Sequence, residues 1–160
     1  MEKESERDVE FLLERYNEEY KEGDEKGDTP LHWAAQEGRV WVVDLAIEAG
    51  ISVNTRNHEG TRPIHLAAQN GHLDMVKKLV AEGSHQTADL NWRTPLHMAA
   101  ALGDVEMVAF LLDHGAEINA RSQDRRTPLD YALDLGRYEV AEFLIERGAT
   151  AEQHDIAAAE

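Results

Sequence analysis

The 160-residue sequence contains no cysteine, only four prolines and half as many basic as acidic side chains. Without cysteine there is no disulfide framework, no thiolate metal site and no cysteine nucleophile, and a reducing compartment suits the chain. No apolar run approaches the roughly 18 residues that a membrane-spanning helix needs, and the charged N-terminus lacks the apolar segment of a secretion signal. We therefore expect a soluble, cytoplasmic protein.

The shortage of basic residues gives the chain a strong negative charge. There are 16 Lys and Arg against 32 Asp and Glu, so the formal net charge is −16. Such a chain repels polyanions, which argues against DNA, RNA and anionic membrane surfaces as partners. It favours a protein partner with a basic rim, although an acidic surface also serves solubility alone.

All four prolines belong to one recurring tetrad. The copies are Thr29-Pro30-Leu31-His32, Arg62-Pro63-Ile64-His65, Thr94-Pro95-Leu96-His97 and Thr127-Pro128-Leu129-Asp130. Their steps of 33, 32 and 33 residues are typical of a helical solenoid. An Ala pair follows the first three tetrads, and a Gly stands nine residues after the start of each copy. The sequence is thus built from four repeating units.

Each unit reads as two helices joined by a turn. The Thr hydroxyl can accept a backbone N–H of the first helical turn, and Pro suits the first helical position because its missing N–H would have had no partner there. The Gly can end the first helix in a left-handed conformation. A second helix follows with apolar residues at helical spacing, for example Val105, Val108 and Leu111, and it also ends at a Gly.

In these features the chain resembles the ankyrin-repeat proteins, and the resemblance covers roughly residues 24 to 149. It implies an all-α solenoid of helix-turn-helix units with β-turn fingers. The predicted organisation is an acidic N-terminal capping helix at 1–23, repeats at 24–56, 57–88, 89–121 and 122–151, and a tail at 152–160. The fourth repeat would serve as the C-terminal cap.

The resemblance implies structural work for the repeated histidines and a binding role for another surface. His32, His65 and His97 are expected to hydrogen-bond to the backbone in and between fingers. Ligands of this family bind on the concave face, which consists of the finger tips and the exposed side of the first helices. On this chain the matching positions become apolar in repeats three and four, and we predict the partner-binding residues to be Leu90, Asn91, Trp92, Arg93, Leu102, Gln123, Arg126 and Leu135.

Two tryptophans leave alternatives open. Trp92 and Arg125 stand in their fingers where Gly is expected, and the linker before Trp92 is one residue shorter than its counterparts. Trp92 is therefore either part of an exposed apolar interface or a side chain that fills space over the short linker. Trp41 falls where the other copies have an acidic residue, and it is a secondary candidate for a contact on the outer side of a second helix.

Nothing in the sequence indicates catalysis, a cofactor or a metal site. Histidines at repeat spacing lie roughly 10 Å apart, too far to share one zinc ion. There is no HxxxH pair on one helix, no Gly-rich phosphate loop and no GxSxG motif. We therefore predict a non-catalytic module for protein–protein interaction, and we favour a monomer over a homo-oligomer. The alternative is a structural or self-associating scaffold, natural or engineered, without a dedicated partner.

Overall fold

The computed structural model describes residues 24–152. The predicted capping helix at 1–23 and all of the predicted tail after residue 152 lie outside these residues. Within them the chain forms eight helices in four pairs. The first helices of the pairs are α1 (Pro30–Glu37), α3 (Pro63–Gln69), α5 (Pro95–Leu102) and α7 (Pro128–Asp134). The second helices are α2 (Val42–Glu48), α4 (Leu73–Ala81), α6 (Val105–Asp113) and α8 (Tyr138–Glu146).

The first helices begin and end as the sequence predicts. Each starts at its tetrad proline, after a residue with extended backbone. The hydroxyls of Thr94 and Thr127 accept the backbone N–H three residues later, at 3.4 and 3.3 Å. Gly38 and Gly103 follow α1 and α5 with φ of 73° and 85°, a left-handed backbone in which glycine carries no steric penalty.

The helices stack into an all-α solenoid, as predicted. The first helices pack side by side in the order α1, α3, α5, α7, and each second helix packs against its own first helix. At the centre of the row Leu31, Ile64, Leu96 and Leu129 are fully buried. The small, buried Ala pairs beside them allow neighbouring helices to approach closely.

The fingers, at residues 24–29, 57–62, 89–94 and 122–127, are β-turns joined into a ladder. In each, the fourth backbone N–H bonds to the first carbonyl oxygen, at 2.8 to 3.0 Å. The backbone N–H groups of His58, Leu90 and Gln123 then donate to the preceding finger, at 2.8, 3.0 and 2.9 Å. The fingers are therefore held in a fixed order beside the N-termini of the first helices.

Candidate protein-binding surface

The repeated histidines tie each first helix to the next finger. In His32, His65 and His97, Nδ1 accepts the backbone N–H of the residue three positions earlier, at 3.0 to 3.1 Å. The ring proton is therefore on Nε2, which donates across the repeat boundary. The acceptors are the carbonyl oxygens of Thr61, Arg93 and Arg126, at 2.8, 3.1 and 2.9 Å. The structural role that the resemblance implied for these rings is confirmed.

Burial keeps the three rings neutral. It lowers the pKa of His32 and His97, and it lowers the pKa of His65 from 6.5 to about 4. In the fourth repeat Asp130 takes this position and accepts the backbone N–H groups of Thr127 and Glu152, at 2.9 and 3.0 Å. None of these groups is placed to react with a ligand.

Three of the eight predicted binding residues line one open groove. Asn91, Arg93 and Gln123 surround a space of about 340 Å³ between fingers three and four, together with Asp124 and Tyr131. We call this the concave groove. Tyr131 was not among the predicted residues, because its position in the repeat, shared with Trp33, Leu66 and Met98, indicated packing between repeats.

Arg93, which lines the concave groove, and Arg126, which packs on its Tyr131, are already paired within the protein. The guanidinium of Arg93 bonds to the Asp89 carboxylate, at 2.9 and 3.0 Å. Arg126 forms an ion pair with Asp134, and its guanidinium carbon lies 4.8 Å from the centre of the Tyr131 ring. The cations are thus neutralised and oriented, and the groove presents amide and aromatic groups without a net charge of one sign.

The predicted apolar residues lie at two ends of the concave face. Leu90 is 62% exposed in finger three, where its side chain lies over Gly60 of finger two. Leu102 and Leu135, 38% and 53% exposed, lie where α5 and α7 end. A helix of this length spans about 12 Å, so these two leucines are separated from the finger residues by the length of a first helix.

Trp92 faces a different groove. Its side chain is 59% exposed and lines a space of about 790 Å³ with residues of the segments that follow α4 and α6. These residues are Gln86, Thr87, Ala88, Gly115, Glu117, Asn119, Ala120 and Arg121. We call this the linker groove. The backbone of Trp92 is left-handed, with φ of 59°, as expected for a position that fingers one and two fill with glycine. The eight predicted residues therefore do not form one patch.

Trp41 lies closer to the core than its sequence position indicates. It is half-buried and packs against the core. The reason is that α2 begins at Val42, two residues later than the alignment with α4 and α6 predicts, so Trp41 lies in the preceding turn and not on a helix face. Trp41 therefore contributes to packing as well as to the surface, and its part in a contact with a partner stays a prediction.

Charge is distributed unevenly between the two faces. The second helices contain eight acidic and two basic residues, whereas α3 and α5 contain no charged residue. The acidic residues are Asp44, Glu48, Asp74, Glu106, Asp113, Glu139, Glu142 and Glu146, and the basic ones are Lys77 and Lys78. The middle of the concave face is therefore close to neutral, and the outer face is acidic.

No three His, Asp or Glu side chains of residues 24–152 come together in an arrangement that could hold a metal ion. No helix among them is long and apolar enough to cross a bilayer.

Comparison with known proteins gives short matches to curated relatives. Scaffold protein ILK of Homo sapiens, like that of Mus musculus, is 39% identical over 49 residues, which is 31% of this chain and 11% of that protein. The probable E3 ubiquitin-protein ligase XBOS32 of Oryza sativa subsp. japonica is 34% identical over 65 residues, or 39% of this chain and 13% of that protein. The chain thus matches about a tenth of the length of these relatives.

The family comparison covers far more of the sequence. The family described as ankyrin repeats in three copies matches residues 2–91 and again residues 64–155. These overlapping matches contain all four tetrads and all eight helices. The chain therefore belongs to the ankyrin-repeat family.

Proposed function

We propose that this chain is a non-catalytic module that binds a protein partner on the concave face of repeats three and four. Ankyrin repeats are generally protein–protein interaction modules. The observation that carries the proposal is the concave groove, an open space of about 340 Å³ between two fingers that are fixed by backbone hydrogen bonds. A rigid, preformed groove needs little ordering when a partner binds, which favours affinity.

The chemistry of the groove defines what it accepts. Asn91 and Gln123 are exposed amides, and an amide both donates and accepts hydrogen bonds. Protein carboxylates already neutralise Arg93 and Arg126, so the groove does not require an anionic group from its ligand. We expect the partner to place uncharged polar groups in the groove and an apolar side chain against Leu90.

The basic residues of the partner would lie outside this centre. The acidic second helices flank a concave face whose middle helices are uncharged. Positive charges at the partner's rim would be attracted by this outer ring without being buried, which raises the association rate at little desolvation cost.

The hydrogen bonding of the buried histidines also favours a binding role over catalysis. The buried histidines are neutral and fully engaged with backbone groups. No cluster suited to a metal ion occurs in residues 24–152. What these residues offer is a shaped surface without an activated nucleophile or base.

Two matched double variants test the proposal. Leu90→Glu/Leu135→Glu places two charges on the concave face, and Ile47→Glu/Ile145→Glu places two on the second helices, again at exposed apolar residues. Each variant is used as bait after its melting curve shows that it is folded. We expect the wild type and the outer-face variant to capture the same partner and the concave variant to lose it.

The position of the partner is then checked by photo-crosslinking. A benzophenone side chain at Asn91 or Gln123 should link to the captured protein, and one at Glu139 on α8 should not. Equal capture by both double variants, or crosslinks from Glu139 alone, would contradict the proposal. If neither double variant loses a partner, and the mass measured by light scattering rises with protein concentration, the self-associating scaffold is favoured.

A further inference from the structure

We propose that the linker groove is a second binding site, which accepts an arginine side chain of a protein partner. It lies between the segment after α4 and the segment after α6, with Trp92 on its wall. Asn91 and Arg93, the neighbours of Trp92 in sequence, line the concave groove, so finger three contributes to two separate grooves.

The first observation is a hydrogen-bond acceptor without a partner. In the two longer linkers, the amide oxygens of Asn54 and Asn119 accept the N–H of His85 and Thr150, at 2.7 and 2.8 Å. In the shortened linker the corresponding residue is Gln86. Its Nε2 donates to the His114 carbonyl oxygen at 2.8 Å, but its Oε1 has no partner within residues 24–152. Gln86, which lines the groove, therefore has a buried amide oxygen that lacks a donor, and a ligand reaches this oxygen only when the Gln86 side chain rotates.

The second observation is the exposed Trp92 ring at a position of backbone strain. Gly27 and Gly60 occupy the same finger position with φ of 76° and 71°, and Trp92 adopts φ of 59°. A tryptophan there gains little from burial, because more than half of its surface is open. Exposed side chains on strained backbone are characteristic of binding sites, and an indole face attracts cations.

The third observation is the charge of the groove. Two charged side chains line it, Glu117 and Arg121. Arg121 is neutralised by an ion pair with Glu152, whereas Glu117 has no ion pair among the described residues. An uncompensated carboxylate, an indole and an amide oxygen together favour a cation that has several N–H donors. Arginine fits best, since its guanidinium is planar, stacks on aromatic faces and carries five donors.

A peptide titration followed by NMR tests this assignment without any knowledge of the partner. The probe is the capped tripeptide acetyl-Gly-Arg-Gly-amide, added to ¹⁵N-labelled protein, with the same peptide carrying citrulline as the uncharged control. We expect saturable shifts of the Trp92 indole N–H, the Gln86 side-chain amide and the Glu117 backbone N–H. The citrulline peptide should shift these signals at least about threefold more weakly at equal concentration.

Matched variants separate this site from general attraction to an acidic protein. Trp92→Gly introduces the residue that other fingers carry, so it keeps the fold and should abolish the shifts. Glu117→Gln should weaken binding about threefold or more, and Glu139→Gln on α8 removes the same charge and should leave it unchanged. Shifts confined to the second helices, equal effects of the two Gln variants, or no saturable shift would each overturn the proposal. Since the linker groove is distinct from the concave groove, neither failure implies the other.

Discussion

The Nε2–H of His65 donates a 3.1 Å hydrogen bond to the carbonyl oxygen of Arg93, so a helix of repeat two holds the finger of repeat three. The same ring accepts the backbone N–H of Arg62 through Nδ1. Both bonds need the neutral ring, because a protonated Nδ1 can no longer accept. Repeat stacking is thereby linked to a titratable group.

The first prediction concerns acid. Burial lowers the pKa of His65 to about 4 from 6.5, so the unfolded chain binds a proton more readily than the folded chain. The stabilisation by the neutral ring is fully present above pH 6.5 and is lost as the pH falls towards 4. It amounts to up to about 3 kcal/mol for His65 alone. Urea unfolding between pH 7.5 and 4.5 measures it.

The control for this prediction removes one buried ring. His65→Gln should reduce the pH dependence of the free energy of unfolding, because the His65 ring can then no longer take up a proton on unfolding. A free energy of unfolding that stays constant from pH 7 to 4.5 would show that the buried rings do not limit stability.

The second prediction is that Arg62→Thr stabilises the protein. Arg62 is 5% exposed, and its Nε and Nη1 have no hydrogen-bond partner within the described residues. Burial is the main cause that lowers the pKa of Arg62, and the positive charge of the nearby Arg56 lowers it further. The other three repeats have Thr here, so the change should raise the free energy of unfolding by about 1 kcal/mol or more. Arg56→Thr, which removes an exposed charge, should change it by less than about 0.5 kcal/mol.

The third prediction is that Trp92→Gly also stabilises the protein. Relief of the left-handed backbone at φ 59° should contribute about 1 kcal/mol, since a mostly exposed side chain loses little packing. Arg125→Gly, at φ 63°, serves as the parallel case in finger four. Denaturant midpoints of both variants should rise. A Trp92→Gly variant that is less stable than wild type would mean that the indole fills space over the short linker.

The fourth prediction compares two glycines with similar backbone and different surroundings. A Cβ on Gly60, at φ 71°, would lie 2.9 Å from Leu90 Cγ and 3.0 Å from the Leu90 backbone nitrogen, whereas one on Gly115, at φ 92°, meets nothing within 4 Å. Both Ala variants carry the left-handed penalty of about 1 kcal/mol. Gly60→Ala should cost at least about 1 kcal/mol more, because Leu90 is fixed by its bond to Glu59. Equal losses of stability in the two variants would show that the finger backbone adjusts to the added Cβ.

The architecture could be predicted from the sequence because the same pattern occurs four times at nearly one spacing, so each copy supports the interpretation of the others. Four tetrads at one spacing predicted where the first helices begin, and each of these helices does begin at its tetrad proline. The exposure of Leu90 also followed from its finger position, whereas the sequence left Trp92 open between an exposed and a packed side chain, and the structure leaves 59% of it exposed. These features depend on local backbone preferences that each repeat expresses independently.

The sites were less predictable because they depend on contacts between repeats. The period could not show that Trp92 turns away from Asn91 and Arg93, since side-chain direction in a turn depends on the backbone angles of that turn. The partnerless oxygen of Gln86 arises from a one-residue deletion whose effect is three-dimensional. Arg62 was visible as a departure from Thr, but only the structure shows that its guanidinium is buried.

The separation of the uncharged middle of the concave face from the acidic second helices has a kinetic consequence. If a basic-rimmed partner meets this protein, its speed of approach depends on the outer charges, which salt screens over about 10 Å. Its residence time depends on the uncharged contacts at the centre, which salt hardly affects. Added salt should therefore slow the encounter while leaving the lifetime of the complex almost unchanged.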